Sequence, residues 1–384
     1  MLRMSLDDPD FLRRVRRAIH KRPEFAHAEI RTAALVERLL VRFGLTPFRP
    51  APTSVAVTVG SGTDRPRLGF RADLDALRLV EAPRPHASRD VGLAHACGHD
   101  GHTALLLALA RRLAARPPRD GRVLLVWQQG EEADPSGAPM VLAGLPEAVM
   151  PPEMFAFHLW PELPLGTVGV RAGPVLASVA GLVITVRGSE GRPHGKFCDR
   201  SGVDALRAGV RVFAGVADRW SSRHPSLEQP ATVTIGQLNG GEVPNRPPTR
   251  CVLQGTVRAL SWAAEKDAIE AVRAIADSVA ADTRADIAVT CRSGIRPPVI
   301  NDAGSVARLV SAAQAAGVRW QDHPDEPVGV SEDFGWFIDG RPGALVFLGC
   351  GTPEMSADLH SPAFDFDEAA LIPALELAEQ LIRR

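Results

Sequence analysis

Residues 102–127 read HTALLLALARRLAARPPRDGRVLLVW, an apolar helix pattern followed by a short strand pattern. The helix pattern covers residues 102–115, and residues 122–127 have the uninterrupted apolar character of a buried strand. Similar patterns alternate on both sides, with strands predicted at 54–59, 68–71 and 154–158 and helices at 11–20, 32–43 and 138–145. Such alternation predicts an α/β layer with a mixed, largely parallel sheet.

The alternation gives way after about residue 173 to a block that is rich in strands. Strands are predicted at 181–187, 231–238, 251–260 and 285–292, and helices at 203–217 and 265–281. We expect residues 179–291 to fold as an inserted α+β sandwich domain with a core of its own. The α/β pattern then returns with a strand at 344–348 and a helix at 367–384, so the other domain comprises residues 1–178 and 292–384.

Length and charge narrow the class of protein. The chain has 384 residues, and its 44 basic and 45 acidic side chains leave a formal charge of -1. This balance argues against a dedicated binder of nucleic acids or membrane surfaces. The five cysteines are scattered and odd in number, which is typical of a reducing compartment. No apolar run approaches the length of a membrane span, so we expect a soluble, cytoplasmic protein.

The densest cluster of reactive side chains is HACGHDGH, residues 95–102. Cys97 and His99 are two positions apart and flanked by glycine, so a loop can turn both toward one ion. A thiolate and an imidazole together suit zinc or a similar transition metal. The alternative is a polar helix cap with a buried thiol.

Two adjacent carboxylates, Glu131 and Glu132, follow the strand predicted at 122–127. Sites in open α/β sheets collect beyond the carboxyl ends of the strands. One of the two carboxylates can bind a metal while its neighbour serves as general base to a metal-bound water. A solvated turn is the alternative.

Four further residues lie at strand ends or in loops of the same predicted layer. His158 ends a predicted strand, and His360 lies in a loop ahead of the last helix. Either histidine alone is typical of an ordinary core or surface residue, but their joint placement favours a site. Asp73 and Asp75 follow another strand, where they can orient metal-binding histidines from behind or cap a helix.

Taken in order, these blocks resemble the amidohydrolase branch of metallopeptidase family 20, which includes hippurate hydrolases, aminoacylases and indole-acetyl-amino-acid hydrolases. The matching segments are RADLDAL (71–77), the Cys97 and His99 block, Glu131-Glu132, His158 and LHSP (359–362). Shorter matches are KRPE (21–24), GTVR (255–258) and SEDF (331–334). The resemblance covers essentially the whole chain, and the Cys-Gly-His-Asp block is specific to this branch.

The resemblance implies a catalytic domain with two divalent metal ions per subunit and an inserted lid domain that also forms a homodimer. The ions are expected to be zinc or manganese, with cobalt or nickel as alternatives. Matched by position, the metal ligands are Cys97, His99, Glu132, His158 and His360. Glu131 matches the general base. Asp100 matches a position where other branches use a bridging aspartate, which suggests an extra or bridging ligand. It also joins Asp73 and Asp75 among the carboxylates behind the ligands.

The lid supplies the remaining matches and one departure. Asn245 and Arg258 match substrate-binding groups, and Arg258 suits a forked contact with a carboxylate. The family usually has Gly-Gly-His-Ala-Ala where this chain reads GSEGRPHG, residues 188–195. His194 matches the catalytic histidine that steadies the oxyanion if about two residues are inserted, whereas an ungapped match places Arg192 there. We prefer His194 for its spacing to Asp204.

We therefore expect hydrolysis of the amide bond of a small N-acyl amino acid or related amide, with Glu131 as general base. A dipeptidase or carboxypeptidase is one alternative, although such peptidases more often have a His-x-Asp pair where this chain has Asp73 and Asp75. A catalytically silent metal-binding relative is another, against which the retained Glu131 argues. A thiol-based redox protein centred on Cys97 lacks a second cysteine at nearby spacing.

Overall fold

The computed structural model describes residues 7–190, 202–222, 224–244 and 246–383. In chain order, its helices are α1 (Asp8–His20), α2 (Ile30–Arg42), α3 (His99–Ala115), α4 (Ala138–Gly144), α5 (Ala205–Arg219), α6 (Trp262–Thr283), α7 (Ala303–Ala316), α8 (Gly335–Ile338) and α9 (Leu371–Arg383). Its strands are β1 (Val55–Gly60), β2 (Leu68–Asp73), β3 (Arg122–Gln128), β4 (Met154–Pro164), β5 (Thr167–Gly169), β6 (Gly173–Leu176), β7 (Ser178–Arg187), β8 (Ala231–Gly240), β9 (Arg250–Ala259), β10 (Asp286–Arg296), β11 (Val299–Asn301), β12 (Arg319–Gln321) and β13 (Gly343–Gly351).

The chain divides into two compact units. The first unit comprises Met1–Gly173, Ile300–Asp325 and Asp333–Arg384, and the second comprises Pro174–Val299 and Glu326–Glu332. The inserted domain expected at residues 179–291 falls within the second unit. The second unit also takes in residues 326–332, a short return of the chain that has no signal in the sequence pattern.

The first unit is built on a seven-stranded sheet with the order β1-β3-β2-β4-β13-β5-β12. Strand β2 runs parallel to β3 and β4, β13 runs parallel to β4, and β12 runs parallel to β5. The antiparallel pairs are β1 with β3 and β13 with β5. The prediction of a mixed, largely parallel sheet is therefore confirmed.

Helix α3 is buried along most of its length. It packs on β2 and beside α1 and α9, and its residues from Thr103 to Ala110 are buried on every face. A helix that is apolar all round requires cover on all sides, which the sheet and the neighbouring helices supply. The helix begins at His99, three residues before the predicted start at 102, because its first turn is made of buried polar residues that conceal the apolar pattern.

The carboxyl ends of the parallel strands β2, β3 and β4 lie at one edge of the sheet. Asp73, the last residue of β2, lies opposite Gln128, the last residue of β3. His158 of β4 lies opposite Phe347 of β13. The residues that follow β2 and β3 therefore leave the sheet side by side, and this places polar side chains from separate strands close together.

The second unit contains a four-stranded antiparallel sheet with the order β10-β7-β9-β8. Helices α5 and α6 pack against this sheet, and buried side chains such as Val212, Val272 and Leu253 form a core separate from that of the first unit. Asp204 caps α5 by accepting a hydrogen bond from the N–H of Arg207, and Ser261 caps α6 in the same way.

Among the helices of the described ranges, none combines the length and the apolar character that crossing a membrane requires.

Candidate active site

A buried thiol, Cys97, lies at the centre of the candidate site in the first unit. Its Sγ is 3.5 Å from Nε2 of His158 and 3.3 Å from Nε2 of His360. Two sets of side chains place one potential ligand atom each within 4.8 Å of the others, namely Cys97, His99 and His158, and Cys97, Glu132 and His360. Five side chains that the sequence resemblance matches to metal ligands thus come together as the Cys97 cluster, and both sets share the thiol.

Gly98 allows the chain to present Cys97 and His99 to the same point. Its φ is 84°, in the left-handed region, and a Cβ at this position would lie 2.6 Å from Cδ1 of Leu159. Glycine is therefore required both by the backbone conformation and by the close approach of β4. Helix α3 begins immediately afterwards, at His99.

Two histidines of the cluster are oriented through their Nδ1 atoms. Nδ1 of His99 donates to the backbone oxygen of Asp75 at 3.0 Å, and Nδ1 of His158 donates to the backbone oxygen of Leu159 at 2.8 Å. A carbonyl oxygen only accepts, so in the neutral rings each Nε2 keeps its lone pair. Nε2 of His99 is buried and has no hydrogen-bond partner among the described residues. This arrangement is typical of a metal-binding histidine.

The chemistry of the donors fits divalent metal ions. Burial raises the pKa of the Cys97 thiol well above its ordinary value, so a thiolate at this position needs a nearby cation. A coordinating metal supplies that charge and deprotonates the thiol. One thiolate, three imidazoles and one carboxylate are ligands that zinc and several other transition metals accept.

His360 and Glu132 form the more exposed side of the cluster. Nε2 of His360 is 3.0 Å from Oε1 of Glu132, and their side chains are 52% and 13% exposed. The backbone φ of His360 is 62°, an uncommon value for a residue with a side chain, and its N–H donates to the backbone oxygen of Ala96 at 2.8 Å. Backbone strain of this kind concentrates at functional sites.

The turn that carries Glu131 and Glu132 is held by Asp75. The N–H of Glu131 donates to Oδ1 of Asp75 at 3.1 Å, and the N–H of Glu132 donates to Oδ2 at 2.9 Å. Glu131 is 4% exposed, and a carboxylate oxygen of its side chain lies within 4.8 Å of ligand atoms of His99 and Glu132. Glu131 belongs to neither set that contains Cys97, so its carboxylate stands beside the cluster rather than within it.

Asp73 takes a position behind the cluster. It accepts hydrogen bonds from Nδ1 of His102 at 2.8 Å and from Nη1 of Arg71 at 2.7 Å. Burial alone would raise the pKa of Asp73, but the neighbouring His99, His102 and Arg71 lower it well below its ordinary value. Asp73 is therefore ionised and fixes the first turn of α3.

Asp100 points away from the cluster. Its Oδ2 accepts hydrogen bonds from Nε of Arg16 at 2.9 Å and from Nδ1 of His20 at 2.7 Å. Its carboxylate is thus committed to α1, and it belongs to none of the candidate ligand sets of the described residues. No contact among the described residues supports the prediction of Asp100 as an extra or bridging ligand, because a neighbour of His99 on a helix projects its side chain in a different direction.

Of the four lid residues with an expected role, only Arg258 lies within the described residues. His194, Arg192 and Asn245 lie outside them. Arg258, in β9, donates from Nη1 to the backbone oxygen of Gly329 at 2.6 Å, a contact within the second unit. Burial lowers the pKa of Arg258, and Arg296 lowers it further.

Two supporting groups escaped the sequence reasoning. His102 donates to Asp73 and accepts from the N–H of Leu159 at 3.0 Å, so it is a structural histidine rather than a ligand. Asp333 accepts hydrogen bonds from Nη2 of Arg71 and Nε2 of Gln128, and its own N–H donates to Oε1 of Glu131 at 3.3 Å. The only sequence signal for Asp333 was the SEDF segment, which carried no role.

Comparison with known proteins identifies the class. Residues 69–384 match the family model described as peptidase family M20/M25/M40. The chain is 30% identical over 367 residues to the N-acetyl-L-cysteine deacetylase of Bacillus subtilis strain 168, covering 94% of this chain and 84% of that protein. It is also 30% identical over 393 residues to the N-acetyldiaminopimelate deacetylase of Leuconostoc mesenteroides, covering 99% and 98%.

A solved structure supports the same class. A Bacillus subtilis protein described as a dinuclear metal binding peptidase from the M20 family superposes with a TM-score of 0.85 at 29% identity, covering 98% of both chains. The chain belongs to peptidase family M20/M25/M40. The predictions of this family and of an enzyme of the amidohydrolase type are confirmed.

Proposed function

We propose that the chain hydrolyses the amide bond of a small N-acyl amino acid, with divalent metal ions held by the Cys97 cluster. The observation that carries this proposal is the pair of ligand sets that share Cys97, with the carboxylate of Glu131 beside them. The deacetylases that resemble this chain over nearly its whole length act on N-acetylated amino acids by name, which supports an acyl amino acid as the substrate class.

The ligands would divide the metals between them. Cys97, His99 and His158 would hold one ion, and Cys97, Glu132 and His360 would hold the other. Such ions, when bound, lower the pKa of water and polarise a carbonyl oxygen. Zinc or manganese is the proposed metal, and cobalt or nickel also suits these ligands.

Glu131 would handle the proton of the reaction. Its carboxylate takes a proton from the water that attacks the amide carbon, and it then delivers that proton to the departing nitrogen, so one side chain serves as base and acid. Asp75 holds the backbone of Glu131, and the N–H of Asp333 contacts its carboxylate. These contacts limit the rotation of Glu131 and keep it near the reacting atoms.

Other parts of the proposal concern the lid and the assembly. His194, with Arg192 as the alternative, would stabilise the oxyanion that forms on the amide oxygen. Asn245 and Arg258 would bind the carboxylate of the substrate. We further propose a cytoplasmic homodimer that associates through the lid domain at residues 179–291. The four cysteines among the described residues are free thiols, which is consistent with a reducing compartment.

The test is an assay of free amine release from N-acyl amino acids and dipeptides, using metal-stripped protein with single metals restored. We expect metal-dependent release from the acyl amino acids. Release from dipeptides alone would move the protein to the peptidases, and no release with metal bound would refute the proposal.

A variant of Glu131 tests the base. Glu131→Gln should retain its metal and lose about 10²- to 10⁴-fold in kcat, the usual contribution of a general base. Glu147→Gln, at an exposed position, is the matched control and should behave as wild type. Near-normal turnover by Glu131→Gln would show that another group takes the proton.

A further inference from the structure

Glu29 is a buried carboxylate whose contacts reach toward the turn of Glu131. Its Oε1 accepts hydrogen bonds from the N–H of Gly130 at 2.7 Å and the N–H of His27 at 2.9 Å. Its Oε2 accepts from the hydroxyl of Thr53 at 2.5 Å. Its exposure is 0%, and no arginine or lysine of the described residues forms an ion pair with it. Burying a carboxylate without a cation is costly, so its presence calls for a specific role.

The position of Glu29 in the chain sharpens this point. Glu29 is the N-cap residue of α2, yet its side chain makes no capping hydrogen bond. Glu24 performs that task, since its carboxylate accepts from the N–H groups of Arg31 at 3.0 Å and Thr32 at 2.8 Å. The carboxylate of Glu29 is thereby left to serve the Gly130 turn instead of its own helix.

The turn itself is shaped to receive this contact. Gly130 has a φ of 61°, and a Cβ there would lie 2.5 Å from Cε1 of His27. Nε2 of His27 donates to the backbone oxygen of Pro135 at 3.0 Å, and its Nδ1 accepts from the amide of Gln129 at 3.0 Å. Residues 27–29 therefore hold the turn just before Glu131 through hydrogen bonds of His27 and Glu29.

Three successive backbone amides end on two buried carboxylates. The N–H of Gly130 donates to Glu29, and those of Glu131 and Glu132 donate to Asp75. Each hydrogen bond fixes one peptide plane, so together they fix the backbone from which both carboxylates of the site project. We expect loss of the first contact to release the peptide plane between Gln129 and Gly130 and to shift the Cα of Glu131.

We propose that Glu29 is a positioning residue for the general base, acting on Glu131 through the N–H of Gly130. This inference rests on the proposed function, because it presumes that Glu131 takes the proton. The hydrogen bonds of Glu29 go to His27, Thr53 and Gly130, and none goes to a proposed metal ligand. Its effect should therefore appear in kcat rather than in KM or in metal content.

Two variants of Glu29 distinguish the effect of its side-chain length from the effect of its charge. Glu29→Asp keeps the charge but is one methylene too short to reach Gly130. Glu29→Gln keeps the reach, because its amide oxygen accepts from Gly130 while its NH₂ group donates to Thr53, whose hydroxyl can turn to Oε1 of Gln129 at 3.2 Å. We expect Glu29→Asp to lower kcat about 10- to 100-fold, as is usual for partners that orient a reactive group, and Glu29→Gln to retain most of kcat.

Glu24 offers the matched control, since it lies in the same segment and is 7% exposed. Glu24→Asp should lower the melting temperature and leave kcat per metal-loaded subunit unchanged. The inference is overturned if Glu29→Asp loses no more kcat than Glu24→Asp, or if Glu29→Gln falls as far as Glu29→Asp. Including Glu131→Gln keeps the two proposals separate. Full activity of Glu131→Gln refutes the base, whereas an inactive Glu131→Gln beside a fully active Glu29→Asp refutes only the role of Glu29.

Discussion

Two adjacent residues of α3, His99 and Asp100, belong to different buried polar clusters. Asp100 is fully hydrogen-bonded, whereas His99 has one ring nitrogen without a partner among the described residues. His99 belongs to the Cys97 cluster, where Nε2 of His99 has no hydrogen-bond partner among the described residues. Asp100 belongs to a second cluster, the Asp100 cluster, in which each charge has a partner. Its members are Arg16, His20, Glu81, Asp100, Asp365 and Glu368. Arg16 contacts Asp100 at 2.9 Å, Asp365 at 2.5 Å and Glu368 at 3.1 Å.

This difference indicates that the Cys97 cluster is a ligand site, whereas the Asp100 cluster stabilises the packing of helices. Buried polar groups that serve only the fold are normally hydrogen-bonded, as Arg16 and Asp100 are. In the Cys97 cluster, the nitrogen and sulfur atoms face one another at distances suited to a shared ion, and the thiol is neutral without one. The buried Nε2 of His99, which has no hydrogen-bond partner among the described residues although it is oriented among other ligand atoms, is thus the structural mark of the site.

The largest expected effect comes from removing the shared thiol. Cys97→Ala should lower metal affinity and amide hydrolysis by more than about 100-fold, since loss of a partner behind the ligands alone costs 10- to 100-fold. Metal content after dialysis and the rate of amine release measure it. Cys350→Ala is the control, because Cys350 is equally buried but lies outside the cluster. Wild-type metal affinity in Cys97→Ala would show that the two ligand sets do not share this atom.

The Asp100 cluster should respond in stability instead. Arg16→Met leaves Asp100 buried with only His20 as a charged partner, and breaking a buried ion pair in this way costs about 3–5 kcal/mol of unfolding free energy. Urea denaturation measures this loss. Arg13→Met on the same helix is the control, since its half-exposed pair with Asp10 should contribute less than about 1 kcal/mol. If Arg16→Met loses metal as Cys97→Ala does, the two clusters form one unit.

The sequence predicts much of the first unit's sheet and of the Cys97 cluster, because the patterns that indicate them involve residues close together in the chain. The apolar strand pattern at 122–127, the spacing of Cys97 and His99, and the adjacent Glu131 and Glu132 are all local patterns. They therefore predicted the sheet and the residues that meet at its edge. Local patterns also predicted most helices to within a few residues.

The partners of the backbone and the direction of Asp100 were not accessible in this way. Arg16 and Asp100 are 84 positions apart, and Glu29 and Gly130 are 101 positions apart. No periodicity links such residues, because their contact depends on how α1 and α2 pack against the sheet. Sequence reasoning therefore grouped Asp100 with the metal site, whereas packing assigned it to the N-terminal helix.

The smallest expected effect concerns the pH dependence of the Asp100 cluster. Burial alone would lower the pKa of His20, but Asp100 and Glu81 raise it from 6.5 to about 9. Below pH 6.5 the ring is protonated in the folded and unfolded chains alike, so the full stabilisation is present. Between pH 6.5 and about 9 only the folded chain keeps the proton, and the stabilisation declines as the pH rises.

This shift corresponds to about 3 kcal/mol, using 1.36 kcal/mol for each pKa unit. Asp100 and Glu81 remain ionised over this range, because His20 and the neighbouring arginines lower the pKa of both carboxyls. Comparing urea denaturation of the wild type and His20→Gln from pH 6 to pH 10 isolates the contribution of His20, since the other titrating groups are common to both. The gap in stability should be widest at pH 6 and narrow toward pH 10. A gap that stays constant would show that His20 binds its partners as a neutral ring and that its charge adds nothing to the stability of the Asp100 cluster.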